Sequence, residues 1–165
     1  MKNAFFKCTL LLFAFVLVAS CSSDDSGPAE APPVKLRASV NGTNIRTDNV
    51  TATLSNNGRR LSIVAPTELG QLVITIGSND PDAPEITAQT YLVDDTGNVE
   101  IRISSADSNF TSTPELGGGV TISEINTQEM TLFGSFAGTI VSASDSDSIL
   151  SITNGALFNV NFIVQ

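Results

Sequence analysis

After residue 33, apolar residues recur at every second position along much of the chain. This is the period of a β-strand that buries one face and leaves the other in water. No segment after residue 20 keeps an apolar stripe with the 3.6-residue period of a helix, so we expect little or no helix. The alternation is clearest in residues 34–40, 50–54, 72–76, 99–103 and 158–164.

Asn-Gly pairs separate several strand-like segments and predict tight hairpins. Both residues of such a turn need positive φ, which Asn and Gly adopt at low cost. The pairs stand at residues 41–42, 57–58 and 154–155. A two-residue turn at each of the first two sites places apolar residues opposite one another. The predicted partners are Ala38 with Ile45, Leu54 with Leu61, Ala52 with Ile63, and Val50 with Ala65.

The third Asn-Gly pair, at residues 154–155, fits the apolar pattern less well. A turn there pairs Ile152 with Leu157 on one face and Ile149 with Val160 on the other. Either this hairpin is covered on both sides, or a bulge changes its register. The sequence leaves both alternatives open.

Together the strands and turn signals predict an all-β domain over residues 34–165. We expect about nine or ten short strands in an antiparallel β-sandwich, with a flattened barrel as the alternative. No repeat of 20–50 residues is convincing, which disfavours a solenoid or a propeller.

The first 20 residues have the pattern of a secretory signal peptide. A short basic start precedes about a dozen mostly apolar residues, too few for a permanent transmembrane helix, which needs about 20. The segment Val18-Ala19-Ser20-Cys21 resembles the lipobox of bacterial lipoproteins. It predicts cleavage before Cys21 and acylation of the Cys21 thiol. Several acyl chains on one residue anchor a protein durably.

The residues after the cysteine are polar and rich in proline. Ser22, Ser23, Asp24 and Asp25 resemble the acidic export tag of Bacteroidota-type lipoproteins, which implies display on the cell surface. The alternative is that they belong only to a polar tether. Prolines favour extended backbone, so we interpret residues 21–33 as a spacer between the lipid and the domain.

The composition excludes several kinds of chemistry. The chain has eight basic and 17 acidic side chains, and removing two leader lysines leaves six against 17, or −11. Such a charge opposes binding to nucleic acid. There is no histidine, which excludes histidine-based triads and the usual zinc ligand. With one of the two cysteines in the leader, the mature chain has no internal disulfide.

Several stretches together resemble small uncharacterised lipoproteins of Bacteroidota-type bacteria. Besides the leader and the acidic tag, they are residues 38–43, 129–139 and 152–158. The resemblance implies a β-rich surface lipoprotein. It brings no assigned activity, so no catalytic residue is carried over to this chain.

Two weaker motifs remain. Asp80, Asp82 and Glu85 are the best grouped acidic residues, and their oxygens are ligands that calcium accepts. They do not match a known calcium loop, and acidic residues in turns commonly serve the turn itself. Ser148, preceded by Asp147, resembles the short O-glycosylation site of these bacteria.

From these observations we expect an outer-membrane lipoprotein that faces the cell surface and carries a non-catalytic β domain for binding or envelope structure. The alternative is a ligand-capture or adhesion module, with or without help from calcium. An enzyme is the least favoured interpretation, and no cofactor other than calcium is expected. The expected partner is the membrane, through the lipid; a protein or glycan partner is left unidentified.

Overall fold

The computed structural model describes residues 33–165. Strands account for 61% of this part, and it contains no α-helix. A short 3-10 turn at Pro114–Leu116 interrupts the strands. None of the described residues forms a helix that is long and apolar enough to cross a membrane. The all-β prediction is therefore confirmed.

Eleven strands follow one another through the described residues. Their bounds are β1 Leu36–Val40, β2 Thr43–Thr47, β3 Thr51–Ser55, β4 Arg60–Thr67, β5 Gly70–Gly77, β6 Thr90–Leu92, β7 Val99–Ser104, β8 Asn109–Ser112, β9 Gly118–Asn126, β10 Thr131–Ser142 and β11 Ile149–Val164.

All eleven strands belong to one sheet, in the order β2-β1-β11-β3-β4-β5-β7-β8-β10-β9-β6. An additional β10–β11 pairing closes seven of them into a hydrogen-bonded ring. The β1–β2 and β6–β9 pairs branch from it, so the sheet is not a regular barrel. Every pairing is antiparallel except the one between β11 and β3.

The first two Asn-Gly turns have the predicted register. Ala38 pairs with Ile45 across the β1–β2 turn, and Leu54 pairs with Leu61 across the β3–β4 turn. The Ala52–Ile63 pair is also present, and all six side chains are buried. Val50 lies just before β3 and is buried, as is Ala65. Both hairpins are local, so turn chemistry and alternation together suffice to fix them.

The hairpin interpretation of residues 154–155 is wrong, because β11 runs unbroken through them. Asn154 has a φ of 53°, but it forms a bulge instead of a turn. Phe136 of β10 faces Gly155, whereas Gly138 faces Ile152, so β11 carries one extra residue here. β1 also pairs with this segment from the other side. Because β11 has partner strands on both edges, the chain stays extended through residues 154–155. Of the two alternatives that the sequence left open, the bulge is the correct one.

A second bulge in β11 lies at Asn159, where φ is 45° and the register with β10 shifts again. Each bulge adds one residue and so reverses which alternate positions face the core. The buried residues consequently stand at irregular spacing: Ile152, Leu157, Val160 and Phe162. The simple alternation predicted for residues 158–164 is thus only half correct. Val160 and Phe162 are buried, but Phe158 is 36% exposed and Val164 is 53% exposed.

The core of the sheet is almost entirely aliphatic. Its largest fully buried side chains are leucines and isoleucines, contributed by both halves of the domain. Ser142 is the one buried polar residue recorded in the described part, and its hydroxyl contacts that of Ser144 at 3.1 Å. Apolar burial is the main stabilising contribution in such a core. Polar and charged side chains are left to the exposed face.

Candidate functional site

A concave surface of about 360 Å³ lies on the outer face of the β1–β2 hairpin, beside β11. Three strands bring its residues together, because β1 pairs with β2 on one edge and with β11 on the other. We call it the basic groove. It is lined by Arg37, Ala38, Ser39, Asn44, Ile45, Arg46 and Asn154.

Two arginines stand directly opposite each other in the basic groove. Arg37 of β1 pairs with Arg46 of β2, so both side chains project from the same face. Both side chains are exposed. Within residues 33–165, neither guanidinium has a carboxylate within 4.0 Å. The ion pair found among these residues is the one between Arg102 and Glu100 on β7, at 3.8 Å. Like charges in directly opposed positions destabilise a strand pair. The β1–β2 hairpin therefore carries a repulsion that an anion would relieve.

An aromatic ring holds Arg37 in place. The Arg37 Cζ lies 4.9 Å from the centroid of the Phe158 ring, which is within the range of a cation–π contact. Phe158 is on the outer face of β11 because of the bulges described above. Stacking uses the flat face of a guanidinium and leaves the N–H groups on its rim able to donate hydrogen bonds. Arg37 is thereby oriented without being neutralised.

The basic groove concentrates positive charge in an acidic domain. Residues 33–165 contain six basic and 14 acidic side chains, yet three of the six basic ones lie on β1, on β2 or next to them. The third is Lys35, whose Nζ donates a hydrogen bond to Asn161 Oδ1 at 2.9 Å. Asp48 is an acidic residue next to the groove and lines a neighbouring depression with Arg46.

Neutral polar groups complete the lining. Asn154 enters the groove because its bulge turns it outward from β11, and it is exposed. Asn44 is also exposed, and Ser39 is half-buried. Amides and hydroxyls both donate and accept hydrogen bonds. The groove can therefore bind an anionic group and neutral hydroxyls next to it, but it contains no group suited to proton transfer near neutral pH.

The predicted calcium residues lie in the loop between β5 and β6, and all three are exposed. Asp80 Oδ1 accepts a hydrogen bond from the Asp82 backbone N–H at 2.9 Å, the pattern of an Asx turn. Arg59 Nε donates to the Ala83 carbonyl at 2.8 Å and braces the loop. Across residues 33–165, no three Asp, Glu, Cys or His residues form a group that could hold a metal ion. Calcium binding by Asp80, Asp82 and Glu85 stays a prediction.

The other acidic loops use their carboxylates in the same way. Asp94 Oδ1 accepts the Thr96 N–H at 3.0 Å, and Asp145 Oδ1 accepts the Asp147 N–H at 3.1 Å. In the 3-10 turn, hydrogen bonds from its own backbone and from the Thr113 side chain lower the pKa of Glu115. These carboxylates cap turns.

Ser148, the predicted glycosylation site, lies just before β11 and is half-buried. Its N–H donates to the Asp145 carbonyl at 3.0 Å, and its own carbonyl accepts the Ser142 N–H at 2.9 Å. Glycosylation there stays a prediction. The predicted cleavage and lipidation residues lie outside the described residues: Val18, Ala19, Ser20, Cys21, Ser22, Ser23, Asp24 and Asp25.

These observations define an all-β domain with one largely antiparallel sheet and a basic groove on its outer face. The chain belongs to the family described as Domain of unknown function (DUF6252), whose model matches residues 33–161. No match was found among curated proteins or among solved structures. The expected membership of an uncharacterised β-rich family is thus confirmed at the level of the domain.

Proposed function

We propose that this chain is a lipid-anchored envelope lipoprotein whose β domain is a non-catalytic binding module. The observation that carries the proposal is Val18-Ala19-Ser20-Cys21 at the end of an apolar leader. Small residues before a cysteine suit a processing peptidase, and the thiol supplies the atom that lipid is attached to. The resemblance to Bacteroidota-type lipoproteins supports the outer membrane as the location, with the domain facing the cell surface.

The site supports binding in preference to catalysis. The arginines, asparagines and serine of the basic groove can orient a ligand through charge and hydrogen bonds. A general acid or base near neutral pH is best supplied by histidine or by a carboxylate with a raised pKa. The chain contains no histidine, and the carboxylates of the acidic loops serve separate turns. A tethered domain of this kind can capture a ligand close to the membrane.

Acylation of Cys21 can be tested against the other cysteine of the chain. In cells fed an alkyne fatty acid, we expect the Cys21→Ala variant to lose the label. Its leader should also no longer be cleaved before residue 21. The Cys8→Ala variant, altered within the leader, should keep the label and stay in the membrane fraction. Labelling gels, fractionation and intact mass of the N-terminus measure these outcomes. An unmodified mature N-terminus on protein released into the culture fluid would refute the anchor.

Surface display is tested separately from acylation. The Asp24→Ala/Asp25→Ala double variant keeps Cys21, so we expect full labelling but reduced digestion by protease added to intact cells. Lysed cells should digest the variant and the parent chain equally, which controls for stability. The Asp80→Ala/Asp82→Ala variant removes the same charge within the domain and should remain accessible. Equal accessibility of all three chains on intact cells would contradict an export role for Asp24 and Asp25.

A further inference from the structure

We propose that the basic groove binds one oxyanion, a carboxylate, phosphate or sulfate group, between Arg37 and Arg46. The inference rests on the proposed binding role of the domain and names the chemistry of its ligand. It does not depend on whether Cys21 carries lipid. The juxtaposition that carries it is a cross-strand pair of exposed arginines inside a concavity, with no carboxylate in ion-pairing range within residues 33–165.

Charge is the first argument. Arg37 and Arg46 carry like charges on directly opposed residues, an arrangement that destabilises a strand pair. Among the described residues, Arg102 pairs with Glu100 at 3.8 Å, whereas neither Arg37 nor Arg46 has a carboxylate within 4.0 Å. An oxyanion between them changes the repulsion into two charge-assisted contacts. Such contacts are the stronger kind of hydrogen bond, and arginine makes them in pairs.

Preorganisation is the second argument. The contact between Arg37 and the Phe158 ring restrains one guanidinium before any ligand arrives. Phe158 comes from β11 and Arg37 from β1, so two strands that are distant in the chain together position one cation. A side chain that is already oriented loses less conformational entropy when it binds. A solubilising surface arginine has no need of this arrangement.

The neutral lining indicates what carries the anion. Asn44, Ser39 and Asn154 line the same concavity as the arginines, and they suit hydroxyl groups next to an anionic group. An acidic sugar has this combination, and so does the headgroup of an anionic phospholipid. The shared chemistry is an oxyanion attached to a hydroxyl-bearing group.

The negative net charge of the domain does not exclude an anion here. At physiological ionic strength, exposed charges farther apart than about 8 Å are largely screened. Among the described residues, Arg37, Arg46 and Lys35 lie on or next to β1 and β2, and Asp48 lines the adjoining depression. Because the site is exposed and small, we expect millimolar affinity for a single anion, weakened by added salt.

The test uses the mature chain as cells make it, purified in a neutral detergent whether or not lipid is attached. The probes are inorganic phosphate, glucuronate, glucose, and vesicles with or without phosphatidylglycerol. We expect phosphate or glucuronate at about ten times its dissociation constant to raise Tm by roughly 5 °C. Glucose should leave Tm unchanged. Ionic strength is held constant with sodium chloride.

Substitutions assign the effect to the basic groove. Arg37→Gln and Arg46→Gln should each weaken oxyanion binding by about tenfold or more, since each removes a charged hydrogen-bond donor. The matched control is Arg102→Gln, which changes the net charge equally but lies outside the groove on β7. Without ligand, Arg46→Gln should be at least as stable as the parent chain at low salt, because the repulsion is gone. If Arg46 served only to stabilise the fold, its substitution would instead lower the stability of the chain without ligand.

The possible outcomes distinguish the sources of the anion. Preference for glucuronate over phosphate places the oxyanion on a saccharide, and arginine-dependent binding to phosphatidylglycerol vesicles places it on a lipid. The proposal is overturned if no oxyanion shifts Tm, if glucose acts as well as glucuronate, or if the groove variants bind like the Arg102→Gln control. It is also overturned if Arg46→Gln only makes the chain dimerise, since Arg46 would then merely protect the free edge of β2. If the parent chain is found unacylated at Cys21 but still binds the oxyanion, the anchor alone is refuted.

Discussion

Deletion of Asn154 is expected to abolish the cooperative unfolding transition or to lower the free energy of unfolding by more than about 4 kcal/mol. Without the bulge residue, the part of β11 after it moves by one position, which turns its faces over. Leu157, Val160 and Phe162 are at most 3% exposed, and burial of each side chain contributes about 1.5–3 kcal/mol. If the part before the bulge slides instead, Ile152 leaves the core and Ser151 enters it. Either movement removes a large share of the 5–15 kcal/mol typical of a domain.

The matched control for this deletion is Asn154→Gly. Glycine adopts positive φ at least as easily as asparagine, so the bulge stays and the free energy of unfolding should change by about 1 kcal/mol or less. Urea denaturation followed by far-UV circular dichroism measures both variants. If the deletion variant unfolds at the same urea concentration as the parent chain, the bulge does not set the inward face of β11.

The local hairpins show what the sequence could predict. A turn at residues 41–42 fixes which residues of β1 and β2 stand opposite each other, because each step back along β1 is matched by one step forward along β2. The register that pairs Ala38 with Ile45 therefore also pairs Arg37 with Arg46, as the structure shows. The arginine pair at the centre of the basic groove was therefore readable from the sequence. The sequence analysis predicts the apolar pairs on the buried face of this hairpin, but it does not predict the arginine pair on the exposed face.

The C-terminal strand shows why the sequence alone could not decide between a turn and a bulge at residues 154–155. Asn-Gly at residues 154–155 supplies positive φ, and positive φ serves a turn and a bulge equally well. Partners on both edges, β1 and β10, decide between them, and β1 comes from the opposite end of the domain. The same long-range pairing brings Phe158 over Arg37. No local pattern near either residue indicates that contact.

The acidic loops mark a different limit. Asp80 and Asp82 have the composition of a calcium loop and that of an ordinary turn. Only the structure shows that Asp80 Oδ1 accepts a backbone N–H of its own loop. Carboxylates that stabilise turns and carboxylates that bind cations thus have the same sequence signal. Cross-strand position, by contrast, brings side chains from separate segments together, as it does for Arg37 and Arg46.

The Gly77→Ala variant is expected to lose roughly 3–5 kcal/mol of folding stability and to melt about 10 °C or more below the parent chain. Gly77 ends β5 with a φ of 87°, a conformation that costs an L-residue about 1–2 kcal/mol. A Cβ there would also lie 2.0 Å from the Arg59 carbonyl oxygen and 2.9 Å from Ile86 Cδ1. The backbone cannot retreat easily, because the Gly77 N–H donates to the Asn98 carbonyl at 2.7 Å and Gly77 pairs with Arg60.

Gly97→Ala separates the clash from the backbone strain. Gly97 also has positive φ, at 68°, but a Cβ there would meet no heavy atom within 4 Å. The Gly97→Ala variant should therefore lose only about 1 kcal/mol, and the difference between the two variants measures the steric conflict with Arg59 and Ile86. Thermal melts and urea titrations of both chains provide the comparison. Equal losses would mean that the segment after β5 moves away freely, and the close packing of Gly77 against Arg59 would then contribute nothing to the stability of the fold.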